Sequence, residues 1–315
     1  MTESTSLNLF HLIVVPAVTV VGLMGNGFIM IANCLEWIRN KTLSASDMIL
    51  LALSVFRLLF LGTTLGIYSF SLRDVSRPRP VPGFIVFLWS FLNAVSLWVA
   101  TCLAVLYCMK IVNFTQPLLV KMKLRISGMI PQLLLGSVLA SLLVSLPYIW
   151  LDPRYHYCNV TKGLLNNSNG TCPSILYSEF SAIVYITGTS PSFLIFLVSS
   201  ALLIHSLLQH VKKMKRNAEG LRDQRMDIHM NAIKNLISFL ILYSANYAAE
   251  IIVTLFGSPW MTVIAIVMVS TYHSGHPLIL IAMNSKLKEA LLKTQSHCLS
   301  KTTSSPEISK ETGCS

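Results

Sequence analysis

Seven stretches of this chain are each long and apolar enough to cross a lipid bilayer, and that limits its folds more than any other feature. They run Leu9–Leu35, Met48–Phe70, Phe84–Met109, Ile126–Trp150, Phe180–Leu208, Leu236–Phe256 and Trp260–Met283. A membrane helix needs about 20 mostly apolar residues. Backbone in hydrocarbon has no water to bond, so only helices and closed barrels span a bilayer. The period-two alternation of barrel strands is absent, so the expected fold is an all-α seven-transmembrane helix bundle. Pro16, Pro131, Pro147, Pro191 and Pro277 fall within the runs, which membrane helices tolerate when neighbours satisfy the freed carbonyls.

Composition agrees. Hydrophobic residues make up 53% of the 315 and charged residues 12%. Soluble domains carry about 25% charged residues, so this chain has too little charge to coat a soluble globule of its size. The net charge of +11 could suggest nucleic acid, but the cations sit in short clusters between apolar runs, as membrane-side loops do. With the N-terminus outside, eighteen Lys and Arg residues face the cytoplasm and five face outward, with Arg57 inside a span. The positive-inside rule therefore predicts an extracellular N-terminus and a cytoplasmic C-terminus. Met1 to Asn8 lacks a basic segment and carries Glu3, so the first run is expected to act as an uncleaved anchor.

The bundle is expected to occupy 1–294, including a short amphipathic helix near 286–293, with a polar, disordered cytoplasmic tail over 295–315. Three sequons, at Asn159, Asn166 and Asn169, share the loop after the fourth run, which is outside in this topology and open to glycosylation. Cys158 and Cys172 lie in the same loop and are candidates for a disulfide within it; two free thiols are the alternative. No CxxC pair, zinc spacing, phosphate-binding glycine loop or catalytic triad pattern occurs, so no metal, cofactor or enzymatic activity is expected.

Ordered motifs span the chain. The third run reads Trp98-Val-Ala-Thr101-Cys-Leu-Ala-Val-Leu-Tyr107-Cys-Met-Lys110-Ile-Val-Asn113-Phe114. The fifth ends Leu202-Leu203-Ile204-His205-Ser206-Leu207-Leu208-Gln209-His210, with Met214 beyond. The sixth opens His229-Met-Asn-Ala232-Ile233-Lys234, then Ser238-Phe239-Leu240 and Tyr243. The seventh ends His276-Pro277-Leu278-Ile279-Leu280, then Asn284-Ser285-Lys286-Leu287-Lys288. This set resembles the type 2 (bitter) taste receptors, a family of G-protein-coupled receptors. Tyr107 and Lys110 stand where rhodopsin-like receptors carry Asp-Arg-Tyr. The second run departs from the family's A-x-S-R, reading Ser54-Val55-Phe56-Arg57.

The resemblance implies small bitter agonists, an outer-half pocket within the helix bundle and a gustducin-type heterotrimeric G protein as partner. It carries a pocket tryptophan and asparagine onto Trp89 and Asn93. These two are four residues apart on one helical face and lie roughly 8 and 14 Å below Phe84 at the helical rise. Glu250 and Tyr247 lie at matching depths, roughly 9 and 14 Å below Phe256. All four are candidate ligand-binding residues. An ionised Glu250 would pair with a ligand ammonium and Trp89 would add a cation–π contact; a neutral Glu250 bonded to a neighbouring helix is the alternative. Asn26 and the mid-span Arg57, with Tyr107, Lys110, His276 and Pro277, are candidates for interhelical and conformational contacts; static helix-to-helix contact is the alternative. A vomeronasal-type pheromone receptor would share the topology and the missing Asp-Arg-Tyr. A seven-helix transporter would call for more ionisable groups along a path than Arg57 and Glu250.

Overall fold

The computed structural model describes residues 2–72, 83–150, 175–216, 223–256, 259–284 and 286–292. Asn159, Asn166, Asn169, Cys158, Cys172 and the 295–315 tail lie outside the described residues.

Seven long helices form, and the described residues contain no strand. They are α1 (Thr2–Asn40), α2 (Ala45–Leu72), α3 (Gly83–Ile111), α4 (Pro117–Ser145), α5 (Ile175–Arg216), α6 (Asp223–Phe256) and α7 (Pro259–Met283). All seven contain stretches long and apolar enough to cross a membrane. Most outrun their apolar runs: α5 continues to Arg216 and α6 begins at Asp223, because helical hydrogen bonding does not stop where hydrocarbon does. Pro16, Pro131, Pro191 and Pro277 sit inside unbroken helices. Pro147 instead lies in a 3-10 turn, Leu146–Trp150, that follows α4.

The helices close into a ring, α1 on α2, α2 on α3, α3 on α5, α5 on α6, α6 on α7 and α7 on α1, with α4 packed on the outside of α3. α3 is therefore the central helix, and Leu92 through Leu97 is buried without a break. Side chains such as Leu59, Leu143, Ile183 and Ile241 point outward, as lipid contact requires. Because lipid is as apolar as leucine, close packing and polar contacts rather than hydrophobic burial hold such helices together. The buried face of α4 shows this, with Ser137, Ser141 and Ser145 four residues apart. Ser137 and Ser141 donate to carbonyls four residues back, at 2.8 and 2.7 Å, which satisfies their hydroxyls inside the helix.

At the end of the bundle opposite the N-terminus, Ser44 and Asp47 cap α2. Asp47 N–H donates to Ser44 Oγ at 3.2 Å and Ser44 Oγ donates to Asp47 Oδ2 at 2.5 Å. A further helix covers 286–292, and Asn284 Oδ1 accepts from the Lys286 and Leu287 N–H groups at its start. Leu287 is buried in the core, and Lys286 bridges Glu36 at 2.9 Å and Asp47 at 3.5 Å. The hydrogen bond to Glu36 and the charge of Asp47 hold the Lys286 ammonium above its ordinary pKa. This exposed cation thus ties the start of that helix to the ends of α1 and α2.

Two glycines set helix separations. A Cβ on Gly22 would lie 2.2 Å from Ser274 Oγ, 2.8 Å from Leu61 Cδ1 and 2.9 Å from Ser274 Cβ. One on Gly188 would lie 2.0 Å from Val144 Cγ1. A Cβ on Gly27 would meet open space. Gly22→Val is expected to lower stability by about 1–3 kcal/mol, while Gly27→Ala leaves the melting midpoint within a degree or two, both read from thermal unfolding of detergent-purified protein.

Candidate ligand site and interhelical polar network

Many of the buried polar side chains that join helices collect in three layers along the bundle. The first lies in the half nearer the N-terminal end. Asn93, from the middle of α3, is fully buried and spends both amide hydrogens across helices. It donates to Glu250 Oε1 of α6 at 2.6 Å and to Tyr185 Oη of α5 at 3.0 Å. Asn246, one turn before Glu250, donates to the same Oε1 at 2.8 Å. The Tyr185 hydroxyl lies 3.4 Å from the Ser90 carbonyl and its ring packs edge-on against Tyr148. Glu250 itself is only half-buried. The amide oxygens of Asn93 and Asn246 have no hydrogen-bond partner among the described residues. The layer thus groups a carboxyl and two amide side chains whose amide oxygens are left over as acceptors.

Trp89 and Tyr247 flank this centre on opposite sides. The Trp89 indole donates to Thr64 Oγ1 of α2 at 3.3 Å, with its ring 5.2 Å from Phe60. Tyr247 turns to α5, with its hydroxyl 2.7 Å from Ser190 Oγ and its ring stacked on Phe193 at 4.3 Å. The structure therefore brings Asn93 and Glu250 into direct contact and sets Trp89 and Tyr247 to the α2 and α5 sides of them. Tyr185 and Asn246 are additions that the sequence reading did not single out. Asn246 had a signal, its i, i+4 spacing to Glu250. Tyr185, one of ten tyrosines, had none.

The second layer is aromatic and hydroxylic. The Tyr243 hydroxyl lies 3.3 Å from Thr101 Oγ1 and 3.4 Å from Ser192 Oγ, joining α6 to α3 and α5. Its ring stacks on Phe196 at 4.0 Å and meets Tyr272 of α7 edge-on at 5.7 Å.

The third layer surrounds Arg57, which is fully buried. Its Nη1 donates to His276 Nδ1, and its guanidinium carbon lies 4.8 Å from the centre of the Tyr272 ring. The His276 ring is packed on Phe239 at 3.7 Å. One turn toward the N-terminal end, His273 stacks on Phe60 at 4.0 Å. Pro277 has no N–H for the carbonyl of His273, four residues back. Asn26 supplies the missing donor: its Nδ2 lies 3.1 Å from that carbonyl and 2.8 Å from the carbonyl of Gly22. Asn26, Arg57, His276 and Pro277 thus form one α1–α2–α7 junction. Tyr107 lies elsewhere, half-buried against the Leu203, Leu207, Val211, Ile233 and Leu236 cluster where α5 and α6 meet. Lys110 is exposed at the end of α3.

No group of three metal-ligating side chains occurs among the described residues. Comparison with known proteins gives a consistent result. The sequence profile of the Taste receptor protein (TAS2R) family matches residues 1–299. The chain is 35% identical over 295 residues to taste receptor type 2 member 41 of Pan troglodytes, covering 90% of this chain and 94% of that one. It is 34% identical over 280 residues to member 4 of Gorilla gorilla gorilla, covering 87% and 92%. It is 30% identical over 298 residues to member 9 of Pongo pygmaeus, covering 92% and 94%. That family is one of receptors, not enzymes. Profile and relatives agree across nearly the whole seven-helix unit, and the chain therefore belongs to the type 2 taste receptor family, as a multi-pass protein of the plasma membrane.

Proposed function

We propose that this receptor binds small bitter compounds in the half of the bundle nearer its extracellular N-terminus, and that binding activates a gustducin-type heterotrimeric G protein at the cytoplasmic ends of α3, α5 and α6. The observation that carries the pocket is the acceptor-rich centre of the first layer. Glu250 Oε1 takes hydrogen bonds from Asn93 and Asn246, while the oxygens of both amides remain without a partner among the described residues. Acceptor oxygens on α3 and α6 suit a ligand that donates, and an ammonium donates most strongly. Trp89, half-buried one turn away on α3 and turned toward α2, would contribute a cation–π contact only to a ligand that extends to that side.

The orientation rests on charge. Eighteen Lys and Arg residues against five favour the cytoplasm for the end that carries Lys286 and the α5–α6 connection. Activation follows from differential binding. The Asn93–Glu250 bond ties α3 to α6, and a ligand that takes over Glu250 removes that tie. An agonist then shifts the population only by as much as it prefers the rearranged helices.

The test is intracellular calcium in cells carrying the receptor and a promiscuous G protein, challenged with bitter compounds. Responses that vanish without the G protein are expected; flux without it would point to transport. Glu250→Gln retains an accepting Oε1 but loses the charge. It is expected to weaken amine-bearing agonists by about tenfold or more, equivalent to about 1.4 kcal/mol, and to leave neutral agonists within a few-fold. Equal effects on both classes would exclude the ammonium pairing. Asn93→Ala removes two interhelical donors and is expected to cost about 1–3 kcal/mol of stability, read as a lower melting midpoint of the purified receptor.

A further inference from the structure

α4 meets the rest of the bundle through one face, marked by the buried Ile126, Ile130, Ser137 and Ser141. Its opposite face carries an exposed stripe: Lys121, Arg125, Gly128, Gln132, Leu135 and Leu139. The steps alternate between four and three residues, which keeps all six on one side of a 3.6-residue helix. Leu135 and Leu139 on this stripe are 61% and 51% exposed, as lipid contact requires. Lys121 and Arg125 therefore stand on the side of α4 that faces lipid, not on the side that faces protein.

Their depth is that of lipid headgroups. The apolar run begins at Ile126, so Arg125 and Lys121 lie roughly 2 and 8 Å beyond its edge at the helical rise. The headgroup layer adds roughly 5–8 Å on each side of the hydrocarbon core. Leu118 and Leu124, 69% and 81% exposed, carry apolar surface onto these same turns, which suits a lipid-covered segment. The two charges also lack a protein partner. Neither makes a hydrogen bond or ion pair among the described residues, and α4 contains no Asp or Glu. Lys123, between them in sequence, turns the other way, and its Nζ donates to the Val112 carbonyl at the end of α3 at 3.0 Å. One turn inward from Arg125, a Cβ on Gly128 would meet open space, so no side chain there blocks an acyl chain lying along the helix.

We propose that Lys121 and Arg125 form a site for one anionic phospholipid of the cytoplasmic leaflet, with its phosphate on the two cations and an acyl chain over Gly128, Leu135 and Leu139. A guanidinium matches a phosphate with two parallel hydrogen bonds, and the ammonium one turn away adds a second charge. Anionic lipids give the cytoplasmic leaflet its negative surface potential, and the basic loops assign this end of the bundle to that side. Phosphatidylcholine offers the same phosphate but brings a choline cation, which Lys121 and Arg125 repel, so the site favours phosphatidylserine. The bound lipid holds the inner end of the one helix that lies outside the ring.

Detergent-purified receptor is titrated with phosphatidylserine or with phosphatidylcholine of the same chains, and retained lipid is counted by native mass spectrometry. The wild type is expected to retain phosphatidylserine at least several-fold more. Lys121→Gln and Arg125→Gln should each lower that retention by about fivefold. Lys123→Gln removes the same charge from the same helix but from the side turned to α3, and should leave retention within about twofold. Glycerophosphoserine at millimolar concentration should not compete, because it has the headgroup without the chains. Equal retention of the two lipids by the wild type, a comparison that needs no variant, would overturn the proposal. So would an equal fall in Lys123→Gln, which would mark diffuse charge, or displacement by glycerophosphoserine, which would mark a site for a free phosphate group.

Discussion

Pro277 removes one hydrogen-bond donor from the middle of α7, and the carbonyl of His273 cannot turn to water inside a bilayer. Much of the bundle's arrangement follows from how that carbonyl is satisfied. The donor comes from Asn26 on α1, and reaching it requires α1 and α7 to lie almost in contact. Gly22 allows this, because any side chain there would meet Ser274 and Leu61. Gly25 continues the same seam, with Pro277 carbons 3.3 Å from where its Cβ would be. One absent N–H thus fixes the spacing of the first and last helices and closes the ring.

With that closure in place, polar chemistry is sorted by sign along the bundle axis. Near the N-terminal end the buried groups are mainly acceptors around Glu250; near the middle they are mainly donors around Arg57. Tyr243 and Tyr272 stand between them, ring against ring, with Tyr243 also reaching α3 and α5 through Thr101 and Ser192. The Glu250 carboxyl and the Arg57 guanidinium are thus separated by an aromatic layer rather than by water. Packed rings with few alternative positions therefore lie between the two layers.

The seven helices were legible in the sequence because the bilayer demands a length and an apolarity that can be counted. Depth was legible only to about one helical turn: the fixed rise puts Asn93 roughly 14 Å and Glu250 roughly 9 Å below their helix ends, yet the two side chains meet. Azimuth was not. Which way a side chain points around its helix depends on how neighbouring helices rotate, and that is a property of packing. So Asn93 meets Glu250, while Trp89, on the same face of α3, turns to Thr64 and Phe60 of α2. Tyr185 joins the site from a helix whose sequence gives it no distinguishing mark. Pro147 shows the same limit at an end: the apolar run continues to Trp150, but the helix gives way to a 3-10 turn.

The burial of Arg57 also has a consequence for how the protein is made. His276, its hydrogen-bond partner, lies 219 residues later, so at about 5–20 residues per second of synthesis Arg57 waits roughly 10–40 s for it. During that time α2 must hold a membrane position while carrying a charge that costs about 2.5–3.5 kcal/mol at the centre of a span. The span in α2 is among the more apolar of the seven, which offsets part of that cost before any partner exists. The two least apolar spans, in α6 and α7, emerge last, when the helices that satisfy their Asn, Glu, His and Tyr side chains are already in the bilayer. The order of the helices along the chain is thereby also a workable order of insertion.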